Sequence, residues 1–200
     1  MGNLNSSKDT RLMSTENTLR SRLLTLFTLL GITAALPNLF FFAESFPLPW
    51  YGTIVFLLLC GVTLLLGHRQ LYTAAGLVLF IGADTYIFLT AAHFGREAAE
   101  QWLYLPVLFG AVLLFNEKSI RALAVIILLT LGYLVLLEST DYDLFNKGTI
   151  PTTLSDQYKG NVIAAFGLST VAALFYFHLF AQQKKMYEAK LKLKADSEAT

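Results

Sequence analysis

The chain has 200 residues, is 55% hydrophobic and only 14% charged, and carries 15 basic against 14 acidic residues for a net charge of +1. This excludes a disordered chain, which would be poor in apolar residues and rich in charge. A mean hydropathy of +0.56 also argues against an ordinary soluble domain. Because the charges cancel and no groove-sized basic patch stands out, no nucleic-acid partner is expected. The apolar residues fall in blocks of about twenty, enough to cross a bilayer core of about 30 Å at about 1.5 Å per helical residue. The fold expected is all-α, a polytopic six-helix transmembrane bundle over residues 19–180.

Residues 1–18 are polar and are expected to be disordered. They open with Met1-Gly2-Asn3-Leu4-Asn5-Ser6, which matches a myristoylation pattern, but a lipid anchor is redundant beside six spans. The first span runs from Leu23 to Phe42. It is too long for a signal peptide and no small-x-small cleavage site follows, so it reads as a retained helix. Pro37 lacks an N–H and clashes with the preceding turn, so a kink is expected there, with Asn38 or a neighbouring helix satisfying the freed carbonyl. The second span is Tyr51–Leu66 and contains the single cysteine, Cys60, so no intrachain disulfide can form. The third is Leu71–Ala92. The fourth is Trp102–Phe115, extended back to Ala98, with Pro106 early in it where proline is tolerated. The fifth is Ile120–Leu137 and the sixth Val162–Phe180. Residues 138–160 form the one sizeable loop, with Glu138, Asp141, Asp143 and Asp156 against Lys147 and Lys159.

Lysine and arginine counts on alternate sides of these spans are twelve against three, the smaller set being Arg96, Lys147 and Lys159. By the positive-inside rule both termini are expected in the cytoplasm, and Trp50, Tyr51 and Trp102 then fall near the outer boundary, where aromatic belts form.

Residues 181–200 contain no Gly or Pro, so the sixth span is expected to run unbroken into a cytoplasmic helix. Leu179, Gln182, Met186, Ala189 and Leu193 are spaced three and four apart, a heptad seam, and Glu188 with Lys192 makes an i,i+4 pair. Ala165, Ser169 and Ala173 form a small-x-x-x-small stripe that lets helix backbones approach closely in lipid. Together Ala165, Ser169, Ala173, Gln182, Met186 and Ala189 are the positions expected to transmit a signal, through a parallel homodimer. Packing of the stripe inside one bundle, and a tail that only meets anionic lipid, are the simpler readings.

Asp84 lies about 20 Å from the inner end of the third span. A carboxylate in hydrocarbon costs several kcal/mol and must face the bundle interior, water or a partner. It is either a ligand contact and protonation switch or a structural contact to a Thr, Tyr or Asn nearby. Other polar groups sit at the same outer depth: Asn38, Glu44, Thr53, Tyr86, Thr90, His93, Arg96, Glu97, Glu100, Gln101 and Tyr104. Asn38, Asp84, Tyr86, His93, Glu97 and Tyr104 are the candidate ligand contacts in an outer pocket. Arg96 is expected to pair with Glu97 or Glu100. His93 and Glu97 have an i,i+4 spacing that binds metal on a helix, but Gly95 between them marks a turn, so no metal and no cofactor is assigned. An imidazole titrates near neutral pH, which also makes His93 a candidate pH sensor.

Two motifs carry a family resemblance. The segment Glu188-Ala189-Lys190-Leu191-Lys192-Leu193-Lys194-Ala195-Asp196-Ser197-Glu198-Ala199-Thr200 resembles the linker before the phosphoacceptor helix of membrane sensor histidine kinases. His93-Phe94-Gly95-Arg96-Glu97 followed by Tyr104-Leu105-Pro106 is similar to the step between the third and fourth helices in the six-helix sensory modules of bacterial histidine kinases and some adenylate or guanylate cyclases. The resemblance implies a receptor module in a bacterial inner membrane. An unknown small lipophilic or amphipathic signal would enter the outer pocket and shift the sixth helix and its extension. No phosphoacceptor helix, ATP-binding region or cyclase domain is legible, so the module is expected to sense rather than catalyse. The alternatives are a small transporter or channel component, for which one deep charge is thin, and the input domain of a membrane-bound cyclase. An intramembrane enzyme is disfavoured because no nucleophile, metal or acid–base set lies at matching depth.

Overall fold

The computed structural model describes residues 3–42, 46–115, 119–142, 144–145 and 154–198, with the backbone alone at 3–16, 42, 97, 154–158, 179 and most of 182–198. The described residues form seven α-helices: α1 Asn3–Ala35, α2 Asn38–Phe42, α3 Pro47–His68, α4 Tyr72–Phe94, α5 Tyr104–Leu114, α6 Ile120–Ser139 and α7 Leu154–Glu198. Two 3₁₀ turns, Arg96–Ala98 and Glu100–Leu103, lie between α4 and α5.

Five stretches are long and apolar enough to cross a membrane: Asn17–Phe41, Pro47–His68, Tyr72–Phe94, Ile120–Ser139 and Lys159–His178. They match five of the six expected spans. The fourth differs. It does not extend back to Ala98, because Gly95 (φ 81°) ends α4 and Ala99 (φ 58°) is left-handed, so the chain coils through 3₁₀ turns first. The 11 residues of α5 rise only about 16 Å, and their apolar surface packs against α1, α4, α6 and α7.

Two further expectations are corrected. The polar segment 3–18 is helical and continuous with the first span, since nothing between Asn3 and Leu30 is Gly or Pro to stop it. The expected loop 138–160 is shorter, because α6 continues to Ser139 and α7 begins at Leu154. Conversely, α7 is the expected unbroken helix: its 45 residues extend about 67 Å, roughly twice a bilayer core.

The bundle has two ends. The distal end carries the Pro37 break, Phe46, the 3₁₀ turns and Tyr142. There Trp50 Nε1 donates to Leu39 O (3.2 Å), Asn161 Nδ2 to Ala98 O (2.8 Å), and Arg96 lies 3.6 Å from Glu138. At the proximal end Leu24 packs over Gly67, and Leu114 and Phe115 pack over Gly76. A Cβ at Gly76 would sit 2.7 Å from Leu114 Cδ2, so a larger residue there would have to push the Leu114 side chain aside.

The helix at the centre is α4. Its apolar window is 56% buried, against 28% or less for the other four long helices. Those four present apolar faces outward, with Phe40, Leu58, Val135 and Ile163 among the most exposed side chains. In water such faces would be a large aggregation-prone surface; in a bilayer they meet hydrocarbon. The buried threonines answer the same constraint from within. Thr28 and Thr53 each lie in donating distance of the carbonyl one turn back, on Leu24 and Pro49, so neither hydroxyl is stranded.

Candidate functional site

The distal half of the bundle encloses a cavity of about 730 Å³, within the range that holds a small ligand. Its walls come from α1 (Phe27, Leu30, Gly31, Ala34, Ala35), α3 (Phe56), α4 (Leu79, Phe80, Ala83, Tyr86, Ile87), α5 (Pro106, Val107) and α7 (Gly160, Asn161, Ala164, Leu168, Ala172). Asn38 and Phe41 on α2, with Phe46, Phe94, Glu100 and Leu103, close the distal end. Phe41 is 74% exposed, and Ala34 and Gly160 are exposed as well, so the cavity reaches the molecular surface between α1–α2 and α7. Its body is apolar. Its polar groups, Asn38, Tyr86, Glu100 and Asn161, belong to segments meeting at the distal end.

Tyr86 is the node of this end. Asn38 Nδ2 donates to its hydroxyl at 2.7 Å, and Thr53 Oγ1 lies 3.1 Å from the same oxygen. The ring stacks on Phe56 with centroids 5.3 Å apart and planes 6° from parallel. One side chain therefore ties α2, α3 and α4 together. Pro37 explains why Asn38 is available. The helix breaks after Ala35 and restarts at Asn38, so the Asn38 amide turns to Tyr86. Of the two expected partners for the carbonyl freed by the proline, Asn38 or a neighbouring helix, Asn38 is turned to Tyr86 instead.

Glu100 is 7% exposed and within 3.5 Å of Thr90 Oγ1. It does not pair with Arg96. The left-handed Ala99 between them turns Glu100 inward, while Arg96 lies 65% exposed beside Glu138. Glu138 also accepts from Tyr142 Oη at 3.1 Å. Burial and the Glu138 carboxylate push the Tyr142 hydroxyl up to about 12, so it stays a donor across the physiological range.

Of the six candidate ligand contacts, Asn38 and Tyr86 line the cavity. Asp84 does not. It is fully buried on another face of α4, where Thr130 Oγ1 donates to Oδ2 at 2.8 Å. The next residues continue this seam: Thr85 Oγ1 lies 3.1 Å from Tyr133 Oη, and Phe88 stacks on Tyr133 at 4.5 Å. Tyr104 reaches the main-chain oxygen of Asp84 at 3.5 Å rather than the cavity. His93 packs edge-on to Phe46 and Phe94, and neither ring nitrogen has a hydrogen-bond partner among the described residues. The side chain of Glu97 and all of Glu44 lie outside the described residues. Among the described residues no group of His, Cys, Asp and Glu could hold a metal.

The α4–α6 seam makes a prediction. Thr130→Val removes the donor to a buried carboxylate and should destabilise the bundle by about 1–3 kcal/mol, and adding Asp84→Leu should restore part of that loss. Reversible unfolding in mixed micelles, run as a double-mutant cycle, measures both.

Along α7, Ala165 is buried inside the bundle, whereas Ser169 and Ala173 are half-buried. The side chains of Gln182, Met186 and Ala189 lie outside the described ones. Glu188 sits 4.0 Å from Lys184, one turn back; Lys192, its expected partner, has no described side chain. Sequence reasoning missed Asn161, and of the two partners it offered Arg96, Glu100 is turned inward while the side chain of Glu97 lies outside the described ones. The available signal for Asn161 was an amide one residue before an apolar span.

No protein-family model, curated protein or solved structure matches this chain, so its own geometry carries the functional reading.

Proposed function

We propose that this chain is a membrane-embedded sensory module. Both termini lie in the cytoplasm, and the short α5 with its 3₁₀ lead-in serves as the sixth membrane segment. A lipophilic or amphipathic signal occupies the distal cavity, which faces the outer side, and changes how α7 packs. The module works as a homodimer through α7 and delivers its signal to a histidine-kinase output. One observation carries this reading: Asn161, Ala164, Leu168 and Ala172 wall the cavity, and the same helix continues without interruption to Glu198. A rigid helix that touches the ligand space and leaves the bundle is a physical route between the two, and a ligand biases it through different affinity for its two packings. The heptad seam and the resemblance of the tail to kinase linkers support the same reading. A permeation path has less support, because Asp84 is turned away from the cavity and Glu100 alone among its described lining residues is charged.

Disulfide crosslinking of single cysteines from Gln182 to Leu193, in a Cys60→Ala background in native membranes, tests the dimer. The expected pattern peaks at Gln182, Met186, Ala189 and Leu193, with the three-four period of a parallel coiled coil. A flat profile would contradict it.

A further inference from the structure

Resting on the sensory reading above, which seats the signal in the cavity, we propose that the cavity selects a neutral single-chain amphiphile with a carboxamide head, a fatty amide. Two asparagines at the entry carry the argument. Asn38 on α2 and Asn161 on α7 both line the cavity, and the opening lies between α1–α2 and α7, so a molecule there has a side-chain amide on either hand. Each asparagine spends one N–H within the protein, Asn38 on the Tyr86 hydroxyl at 2.7 Å and Asn161 on the Ala98 carbonyl at 2.8 Å. These bonds hold the two side chains in place and leave each with a second N–H and a carbonyl oxygen. The two oxygens have no partner among the described residues, and neither is buried. A Cβ on Gly160, next to Asn161, would meet nothing within 4 Å, so the opening has room for a head group. Two groups that each offer one donor and one acceptor are matched by a head that does the same, and a carboxamide does so from one flat group. With one asparagine on α2 and the other on α7, a head bonded to both ties the signalling helix to the rest of the bundle, the differential contact a switch requires.

A charged head of either sign lacks a partner. No Lys, Arg or His is among the described lining residues, so an anion has no counter-ion. Glu100, the charged residue among them, is 7% exposed and already engaged within the protein. A charge brought into an apolar cavity without a partner costs far more than a neutral amide that keeps its hydrogen bonds. Below the entry the lining face of α7 continues from Asn161 through Ala164 and Leu168 to Ala172, about 16 Å of helix with no further polar side chain. Phe27 and Leu30 on α1 extend the same apolar wall, which suits one alkyl chain of dodecyl length and offers nothing to a second polar group. Entry between α1–α2 and α7, where Phe41 and Gly160 are exposed, admits such a molecule sideways from a bilayer leaflet.

The test is competition against tritiated dodecanamide on the full chain in phosphatidylcholine nanodiscs, with each probe at the same mole fraction in the lipid and empty nanodiscs as the baseline. Dodecanamide is expected to compete about tenfold better than dodecane, dodecylamine or dodecanoate, the worth of two neutral hydrogen bonds. Asn38→Leu and Asn161→Leu should each cut its advantage over dodecane to about threefold, while unchanged competition by dodecane shows that the variant is folded. Ala164→Trp, which fills the cavity, should remove saturable binding of every probe. If dodecane matches dodecanamide on the unmodified chain, recognition of the head group is overturned while the cavity remains a ligand site. The same holds if dodecylamine or dodecanoate outcompetes dodecanamide, or if both leucine variants keep the full advantage. A leucine variant that fails to fold leaves the decision to the unmodified chain. If no probe binds above empty nanodiscs, both this proposal and the cavity's role as a signal site fall.

Discussion

Tyr86→Ala is expected to destabilise the bundle by about 3–5 kcal/mol, the range for removing a buried aromatic ring. Three losses coincide at this position. The ring surrenders its stack on Phe56, and the hydroxyl that holds Asn38 and Thr53 disappears. The vacated space also joins the existing cavity, because Tyr86 is part of its wall, so collapse of the surrounding helices cannot easily refill it. Tyr86→Phe separates the terms. It keeps the ring and leaves the amide of Asn38 without its partner, so it should cost about 1–3 kcal/mol. Unfolding in mixed micelles reads both variants. A Tyr86→Ala variant within about 1 kcal/mol of the parent would show that α2, α3 and α4 are held by something else.

The second large effect concerns transmission rather than stability. Phe180→Pro should uncouple the tail from the cavity. Phe180 is exposed, two residues past the apolar stretch Lys159–His178, so its loss leaves the core intact. Proline there removes the N–H that bonds to Tyr176 and places its ring against that carbonyl, costing about 3 kcal/mol of local helix. Ligand competition should be unchanged, and crosslinking between Gln182 and Leu193 should lose any response to cavity occupancy. An unaltered response in this variant would mean that the signal leaves the bundle by another element.

Much of this fold was legible in the chain because membrane helices announce themselves by length. Five long spans, the break at Pro37 and the unbroken run from the sixth span into the tail all follow from apolar block length, proline chemistry and the lack of Gly or Pro after Ala181. The stop at Gly95 was legible as a turn; the left-handed Ala99 was not, since alanine carries no signal for that conformation. The site was only partly legible. A helix that is apolar all round gives no moment from which to read its rotation. Asp84 and Tyr86 therefore looked equivalent from the sequence, although α4 turns Tyr86 toward the cavity and Asp84 toward Thr130. The cavity itself arises from where α1 and α7 stand apart, which no local spacing records. Glu100 was visible as a charge, but its inward turn depends on Ala99, and among the described side chains Arg96 lies beside Glu138 on α6.

The central claim is that the cavity and the tail are one mechanical unit joined by α7. Electron spin-echo distances within a protomer test it most directly, with labels at Arg69→Cys and Lys184→Cys in a Cys60→Ala background, diluted with unlabelled chain in nanodiscs. Both positions are exposed, so the labels should not disturb packing. Filling the cavity with Ala164→Trp is expected to shift the Arg69–Lys184 distance by about 1–2 Å or more, the scale of helix displacements that switch packed interfaces, and Phe180→Pro should abolish that shift. A distance distribution that stays the same whether the cavity is open or filled would contradict the account.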